Sequence, residues 1–590
     1  MACTLTVGRR VYSGLTGPKR RICALFAGVA LSVLSPQVQA QTPPSLPGSV
    51  SPGRIPSQIP LPQAPQLSLP EIVVPPPSQT VPKGATGAKF TLNDVIISGA
   101  TVYPPSLFKS LYSGSIGKPV SVADLYAWAE RISERYRKDG YILSKAVVPA
   151  QHIRGGVIRL QVIEGFLGQV KIQGATTPRL REYADQLTQS RPLNTKDLER
   201  YLLFANDLPG YSVRAVLSPS TTVPGASDLT LVSTHKLVDV QVAVDNQGTA
   251  YIGPWEGTVV ASLNDAFGHG ERLTARMSST PSIRELQLFG VTATIPLDAH
   301  GLNLIVDASR IRARPGYTLS PFKPHTQGDA VTVSLQKVLI RSRAQTLSVS
   351  GGLNYEDSVS VLTPPGADAA PSSNDKLWVL RFGGSYSLTD SYGGRNDMSV
   401  QLSHGLRMAN ASRPERANIS KKFGRTDFTK LTATASRLQA ITGPFAVLAA
   451  VTGQVTPGQS LLSAEQFGVG GAAFGRGYDP SELTGDNGVA AKLEFQATYG
   501  LSFHRLQTAQ FFSFYDTGYV RSRYPFSLNR GSQSHATLAS LGGGVRLALR
   551  GGYLTTFEIA KPLTRPPAIF VGHLSDPNAP RFYFSFIASF

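Results

Sequence analysis

Two short segments carry residue types and a spacing that could do electrostatic work in a confined space. They are Gly475-Arg476-Gly477-Tyr478 and, downstream, Phe514-Tyr515-Asp516. The two glycines permit backbone conformations closed to other residues and let the chain pass close to a wall. Asp516 shares one strand face with Phe514, because strand side chains alternate with a period of two. We therefore predict that a loop folds into the interior of a barrel, where Arg476 meets Asp516.

The choice of face follows from the cost of placing charge in lipid. A charged side chain on the lipid face costs roughly 2–4 kcal/mol for Arg or Lys at the midplane and less for Asp. Asp516 should therefore face the lumen and be paired with a cation. The alternative is that Arg476 and Asp516 are two unrelated charges, since an Arg-Gly-Tyr tripeptide alone is a weak motif. The order of the two segments and the strand pattern around them favour the pairing.

Catalytic chemistry is not indicated. The sequence contains no Gly-x-Ser-x-Gly elbow, no phosphate-binding glycine loop and no His-Glu-x-x-His motif. The two cysteines, Cys3 and Cys23, lie in a segment expected to be removed, which excludes thiolate catalysis and cysteine zinc sites from the mature chain. We expect no catalytic residue, no metal and no cofactor, and hence no enzyme.

The charge balance points to a basic lumen or to anionic lipid headgroups, without choosing between them. The chain has 590 residues and a formal net charge of +19, of which residues 1–40 contribute five, leaving +14. No nucleic-acid-binding module is visible, so nucleic acid is not an expected partner. Charged residues make up only 16% of the chain, but the mean hydropathy is near zero, at −0.05. Apolar and polar residues cancel in this way in alternating strands, whereas helical membrane spans would raise the mean.

The first 89 residues predict an export signal and a linker. Residues 1–40 combine a basic start, an apolar run that is too short to span a membrane, and small residues before Gln41. An uncleaved anchor is the alternative. Prolines recur through residues 41–89, which predicts an extended linker rather than a helix. Whether this linker enters a pore is left open by its composition.

An internal repeat occupies residues 90–165 and 166–236. Val95–Thr101 matches Val170–Thr176, and each copy predicts the order strand, helix, helix, strand, strand. A capping box from Ser121 to Asp124 begins the second helix of the first copy. Trp128 and Tyr136 on that helix could line a ligand site, but their helical spacing favours a core stripe.

Residues 237–590 predict a transmembrane barrel, because apolar and polar residues alternate there over 354 positions. A soluble β-sandwich would alternate too, but the export signal and an aromatic last strand ending at Phe590 favour the membrane. The stretch from Thr363 to Asp375 is expected to be a mobile surface loop.

The two motifs resemble the paired motifs of two-partner-secretion outer-membrane transporters, the haemolysin and filamentous-haemagglutinin secretion proteins of the POTRA-plus-barrel superfamily. In that family the loop motif lies inside the barrel and its arginine pairs with the wall aspartate. An aliphatic residue usually precedes the arginine, whereas this chain has Gly475. The resemblance implies a membrane all-β barrel of about 16 antiparallel strands, preceded by two α+β POTRA domains. It also implies that Phe590 is a C-terminal insertion signal used by the barrel-assembly machinery.

The repeat shares this resemblance. Residues 90–165 resemble a first POTRA domain and residues 166–236 a second, with these motif positions in the first: Pro149, Gln151, Gly156, Glu164 and Gly165. The family often has an N-terminal amphipathic helix that plugs the barrel, and none is visible here.

The resemblance implies a pore in the outer membrane of a Gram-negative cell, with its POTRA domains in the periplasm. The partner would be a large, unfolded, adhesin-like or haemolysin-like β-helical protein that is carried to the cell surface. An exposed sheet edge suits this task, because backbone hydrogen bonds can grip an unfolded chain. Two alternatives remain: a factor that assembles other barrels, which usually carries more repeats, and a passive solute porin, which needs no periplasmic grip.

Overall fold

The computed structural model describes residues 46–59, 87, 89–223, 225–366, 368–415, 418–503, 505–524, 534–565 and 578–590. The predicted signal at residues 1–40 and much of the linker lie outside these residues. Ser45–Phe590 forms one compact unit. Among the described helices, none combines the length and the apolar character needed to cross a membrane.

Within residues 46–59 there is one short helix, α1, Ile55–Gln58, with a 3-10 turn at Gly48–Val50. Pro56 lies in the first turn of α1, where the missing N–H is not needed for a helical hydrogen bond. The expectation of a helix-free linker is therefore wrong for these four residues.

The first module contains three-stranded and two-stranded sheets. Its elements are β1 (Lys89–Thr91), β2 (Asp94–Ser98), β3 (Pro119–Ser121), α2 (Val122–Lys138), β4 (Lys145–Val147) and β5 (Val157–Ile163). The sheet order is β2-β5-β4, and β1 pairs with β3. The predicted capping box is present, because the Ser121 hydroxyl accepts from the Asp124 N–H and the Asp124 carboxylate accepts from the Ser121 N–H. Trp128 and Tyr136 lie in the apolar core, as the stripe predicts.

Glu164 closes this module by holding the loop after β2. Its carboxylate accepts from the N–H groups of Thr101 and Val102 at 2.8 and 2.9 Å and from the Tyr136 hydroxyl at 2.6 Å. Burial alone would raise the pKa of the Glu164 carboxyl, but these hydrogen bonds outweigh it and hold the pKa below its usual range.

We predict that Glu164→Gln destabilises the first module by about 1–3 kcal/mol at neutral pH. The three donors all bond Glu164 Oε1 and lose the charge that strengthens their bonds, and the amide NH2 replaces Oε2, which accepts from the Thr101 hydroxyl. A carboxyl whose folded pKa is depressed stabilises the fold above its unfolded value of about 4.3, and this contribution is lost as the pH falls through the folded value. The wild-type advantage should therefore shrink below about pH 4. Hydrogen exchange of residues 157–163 in the full chain measures it, and an advantage independent of pH would contradict the assignment.

The second module repeats the arrangement and docks on the barrel. Its elements are β6 (Phe166–Gly174), α3 (Pro178–Gln189), α4 (Thr195–Asp207), β7 (Tyr211–Pro219) and β8 (Ala226–His235), with sheet order β6-β8-β7. Arg341, at the end of a barrel strand, donates twice to the Asp207 carboxylate at 2.7 Å. The Tyr211 hydroxyl donates to Asp265 in a barrel turn at 2.7 Å. These contacts join the second module to the turns and strand ends of the wall that face it.

The remaining strands build a closed barrel. The first nine are β9 (Val238–Asp245), β10 (Glu256–Asn264), β11 (Arg272–Ser279), β12 (Leu286–Pro296), β13 (Leu302–Ala313), β14 (His325–Arg341), β15 (Gln345–Leu362), β16 (Ala370–Thr389) and β17 (Gly394–Leu406). Next come β18 (Gly424–Arg425), β19 (Thr429–Thr442), β20 (Phe445–Val455), β21 (Ser460–Leu461), β22 (Phe467–Val469) and β23 (Leu483–Gly485). The last are β24 (Asn487–Phe503), β25 (Leu506–Arg521), β26 (His535–Leu549), β27 (Tyr553–Pro562) and β28 (Arg581–Ser589).

Sixteen of these strands form the antiparallel wall, which closes where β28 pairs with β9. The short strands β18 and β21–β23 are not part of the wall sheet. The predicted strand number is confirmed, and the sandwich alternative is wrong. The loop expected from Thr363 to Asp375 is shorter than predicted, because β16 begins at Ala370 and Pro371 already pairs with Val361.

The two faces of the wall follow the alternation in the sequence. Along β25, Phe511, Tyr515 and Tyr519 are exposed on the outside, whereas Phe514 and Asp516 are buried on the inside. Lipid therefore contacts the aromatic and aliphatic side chains, and the polar set faces the lumen.

The described part of the Pro-rich segment, residues 46–59, lies inside the barrel, and we call it the N-terminal strap. Val50, Ile55 and Ile59 pack against inward side chains at the outer ends of β12 and β13, including Leu288 and Ile311. The Arg276 guanidinium donates to the Ile59 carbonyl at 2.6 Å. The strap therefore occupies the half of the lumen farther from the two α+β modules.

Candidate functional site: a loop latched inside the barrel

Residues 456–486, between β20 and β24, fold back into the barrel, and we call them the lumen loop. Their short strands β22 and β23 pair with each other. Phe467, Val469, Tyr478 and Leu483 pack against the inner face of the wall at Leu538 and its neighbours. Apolar packing thus fixes the loop against β24–β26 and sets the position of its one arginine.

Arg476 is enclosed by acidic groups of the wall. Its Nε donates to Asp516 Oδ2 and its Nη2 to Oδ1, both at 2.9 Å, which is a bidentate pair. Its Nη1 donates to Glu494 Oε2 at 2.6 Å. The N–H groups of Gly475 and Arg476 also donate to Asp516 Oδ2, at 3.2 and 3.0 Å. Arg476 is only 5% exposed and Asp516 is fully buried, so the pair is largely shielded from water.

Aromatic rings and a second arginine complete the site. The Arg476 guanidinium carbon lies 3.3 Å from the centroid of Phe514, a cation–π contact, which explains the aromatic residue two positions before Asp516. Arg546 lies over Phe512 at 3.8 Å and donates to Glu494 at 2.7 Å. Two arginines are thus interleaved with carboxylates and rings, an arrangement that holds a loop in place.

The backbone conformation at position 475 explains why a glycine stands there. Its φ is +94°, in the region that favours glycine, and a Cβ there would lie 2.8 Å from Leu538 Cδ1. A Cβ at Gly477 would lie 3.0 Å from the backbone nitrogen of Pro562. The Tyr478 hydroxyl lies 2.8 Å from the Ala539 carbonyl and accepts from the Thr564 N–H at 3.0 Å. The whole motif therefore lies directly against the wall.

A second attachment of the lumen loop was not found from the sequence. Glu465, which is 2% exposed, accepts from Arg381 Nη2 on β16 at 2.7 Å and lies 2.7 Å from Lys430 Nζ on β19. These two strands are separate from the strands that hold Arg476. The loop is therefore anchored to two parts of the wall.

Glu494, Arg546 and Glu465 were missed as site residues because each looks ordinary in the sequence. Glu494 and Arg546 alternate with apolar neighbours as any inward residue does, and only the folded structure shows that Glu494 reaches Arg476 and that Arg546 reaches Glu494. The sequence signal that could have identified Glu494 and Arg546 is that both are charged, rather than neutral, inward residues on the strands next to that of Asp516.

The predicted POTRA motif residues lie within the first module, away from the lumen site. Gln151 brackets Arg159, accepting from its N–H at 2.8 Å and donating to its carbonyl at 2.9 Å. Gly156 has a φ of +70°, and the Gly165 N–H donates to the Ser144 hydroxyl at 3.1 Å. Pro149 lies in the segment between β4 and β5.

Phe590 lies at the closing strand, where its N–H donates to the Val240 carbonyl at 2.8 Å and its carbonyl accepts from the Val240 N–H at 3.2 Å.

Within the described residues, no group of three or more His, Cys, Asp or Glu side chains could hold a metal ion. The charged groups around Arg476 and around Glu465 are engaged with one another, which suits mechanical holding.

A sixteen-stranded barrel with an apolar outer face, two α+β modules on one side and a loop latched inside defines an outer-membrane β-barrel transporter with periplasmic POTRA domains. Residues 225–547 match the model of the haemolysin secretion/activation protein ShlB/FhaC/HecB family, and residues 90–165 match the ShlB-type POTRA domain. The chain belongs to the ShlB/FhaC/HecB family. It is an outer-membrane transporter of the two-partner-secretion type.

Individual relatives agree with this assignment. The heme/hemopexin transporter protein HuxB of Haemophilus influenzae is 25% identical over 80% of this chain and 82% of its own length. The outer membrane transporter CdiB of Dickeya dadantii is 24% identical over 78% of this chain and 80% of its own length. The solved structure of CdiB from Escherichia coli has the same fold, with a TM-score of 0.68 and 21% identity over 87% of this chain and 93% of that one.

Proposed function

We propose that this transporter captures a large, unfolded, secreted protein in the periplasm through both POTRA modules and releases it at the cell surface. The observation that carries this proposal is the latched lumen loop, because a loop held by ion pairs inside a pore can be displaced without unfolding the wall. The exported protein would be adhesin-like or haemolysin-like and β-helical. The description of the family as haemolysin secretion/activation proteins supplies the precedent for a secreted partner.

We assign the parts of the chain to steps of this transport. Residues 1–40 direct export, residues 41–89 form the linker that includes the N-terminal strap, residues 90–165 and 166–236 form the two POTRA domains, and residues 237–590 form the barrel. The barrel-assembly machinery inserts this last part into outer-membrane lipid, with Phe590 in the recognised strand. No step requires a catalytic residue, a cofactor or nucleic acid.

The POTRA sheets provide edges for an extended client. In the order β2-β5-β4 and β6-β8-β7 the outer strands are β2, β4, β6 and β7, and each has one side unpaired within its own sheet. Ile96 on β2 and Val216 on β7 are exposed apolar side chains on such strands. Backbone pairing along an edge, with apolar side chains for grip, suits many sequences of an unfolded chain.

The lumen loop and the N-terminal strap together obstruct the resting pore. Both lie inside the wall, and they touch each other where the Arg54 guanidinium donates to the Ser463 carbonyl at 3.2 Å. An extended polypeptide can pass only after one or both have moved. The role of Arg476, Tyr478 and Asp516 is therefore to hold the loop until a client arrives.

The test is to search the neighbouring reading frames for a long secreted protein and to co-express that protein with the transporter in a Gram-negative host. We expect the protein at the cell surface or in the medium only when the transporter is present. The same cultures should keep normal amounts of other outer-membrane barrels when the transporter is depleted. Loss of those barrels, with secretion unaffected, would support an assembly factor instead.

A further inference from the structure

The N-terminal strap inserts one charged side chain into a preformed site of the lumen loop. Arg54 is 7% exposed and is the first charged residue after residue 40. Its Nη1 donates to the carbonyls of Ser463 and Gln466, and its Nη2 donates to the Ser481 hydroxyl at 2.9 Å. We call the site formed by Ser463, Gln466, Gly468 and Ser481 the guanidinium cradle.

The cradle fits the planar fork of a guanidinium. A Cβ at Gly468 would lie 1.9 Å from Arg54 Nη2, so the absence of a side chain there creates the space that this nitrogen fills. Glu465 and Glu356 both attract the Arg54 charge. Acceptors in separate directions, two carboxylates and a cleared wall match an arginine better than a lysine, whose ammonium is a compact point charge.

Beside the cradle, Glu356 provides a further acceptor that makes no hydrogen bond with Arg54. Glu356 Oε1 is buried and has no hydrogen-bond partner among the described residues, and Arg54 Nε has none either. A Cβ at Gly53 would lie 1.8 Å from Glu356 Oε1, so this acceptor is directed at the strap itself. A guanidinium on a differently placed backbone could reach Glu356 as well. The contacts of Arg54 thus leave one buried acceptor beside the cradle unused.

We propose that the guanidinium cradle is a binding site for arginine side chains of the exported polypeptide, and that Arg54 occupies it in the resting pore as an internal substitute. This inference rests on the proposed function. When the strap leaves, the carbonyls of Ser463 and Gln466 lose their donor and Glu356 loses a nearby cation, while Glu465 keeps Arg381 and Lys430. An arginine of the passing chain restores those contacts, stabilises the open pore and prevents the strap from returning.

The test measures ion currents through full-length Arg54→Ala in planar lipid bilayers, with methylguanidinium and methylammonium as probes of equal charge. We expect Arg54→Ala to conduct more than the wild type. Methylguanidinium should restore the low current at a concentration at least about tenfold below that needed for methylammonium, the size expected for several hydrogen bonds to a charged group. Adding Gly468→Ala should remove this difference, because its Cβ fills the position of the missing nitrogen.

The second measurement uses a flexible Gly/Ser peptide that carries one central arginine or one central lysine, applied to Arg54→Ala. The arginine peptide should block the current for longer. If Gly468→Ala fails to insert, Arg54→Ala combined with Ser481→Ala, which removes one acceptor without adding bulk, should weaken the methylguanidinium effect several-fold. Equal responses to both probes, or a response unchanged by either cradle substitution, would overturn the inference. Secretion of the partner by the wild type in the same host is scored separately, and its failure would instead count against the proposed function.

Discussion

Replacing Arg476 with alanine is expected to leave the barrel in the outer membrane while nearly abolishing secretion of the partner protein. The substitution leaves Asp516 and Glu494 without the cation that both contact at less than 3 Å. Removing one partner of a buried pair costs about 3–5 kcal/mol, which is at least about a hundredfold in the equilibrium between a latched and a released loop. The pore then loses its defined resting state, while the wall ladder of backbone hydrogen bonds is unaffected. Secreted partner in the medium and heat-modifiable migration of the barrel measure the two effects.

Two further variants make the result specific to the latch. Arg476→Lys keeps the charge but loses the bidentate fork, so its secretion should fall between alanine and wild type. Arg437→Ala removes an arginine from a much more exposed pair with Asp390 at the turn between β16 and β17, and such pairs contribute less than about 1 kcal/mol. The strand register places Arg437 on the outer face of the wall with Met398, away from the lumen. Near-normal secretion is expected for Arg437→Ala. Wild-type secretion by Arg476→Ala would refute the proposed role of the Arg476 ion pairs in holding the lumen loop.

Replacing Glu465 with glutamine is expected to release the other end of the lumen loop. Arg381 and Lys430 would then face each other without the carboxylate that separates them, and Arg54 would lose one of its two acidic neighbours. The three cations then share one remaining carboxylate, Glu356, and repel each other in a confined space. The free energy that holds this end of the loop on the wall should fall by about 3–5 kcal/mol, as for Arg476→Ala. We expect a raised ion conductance and a several-fold loss of secretion, measured in bilayers and in culture.

The matched control for Glu465→Gln is Asp329→Asn, which removes a carboxylate from an exposed pair with Arg310 on the wall. Its conductance should equal that of the wild type. Combining Glu465→Gln with Arg476→Ala tests whether the two anchors act together. If both hold one loop, the double variant should lose little more secretion than Arg476→Ala alone. Fully additive losses would show two independent functions.

The sequence was sufficient for the wall and for one attachment of the loop. Alternation with a period of two marks Asp516 and Phe514 as inward residues without any knowledge of neighbouring strands. The length of residues 237–590 and the family resemblance together give sixteen strands. The capping box at Ser121 is equally local, since donor and acceptor lie three residues apart.

The second attachment and the strap could not be obtained in this way. Glu465 meets Arg381 and Lys430 only because the loop crosses the lumen, and no local pattern encodes that crossing. Arg54 lies among prolines that predict an extended linker, yet it binds residues more than 400 positions away. A lone arginine between Val50 and Ile55 was the available signal, but its partners could be recognised only in the folded chain.

The closing strand pair has a consequence for how this protein reaches its final form. The pairing of β28 with β9 extends only from Ser585 opposite Asp245 to Ser589 opposite Gln241. At this seam the Asn246 amide donates to the Phe582 carbonyl, across 336 positions of sequence. Such non-local pairing is slow, since the entropy of closing a long loop is lost before any contact rewards it. The margins of β9 and β28 therefore stay unpaired until the strands between them are in place, and until then both expose backbone groups that could pair with another chain.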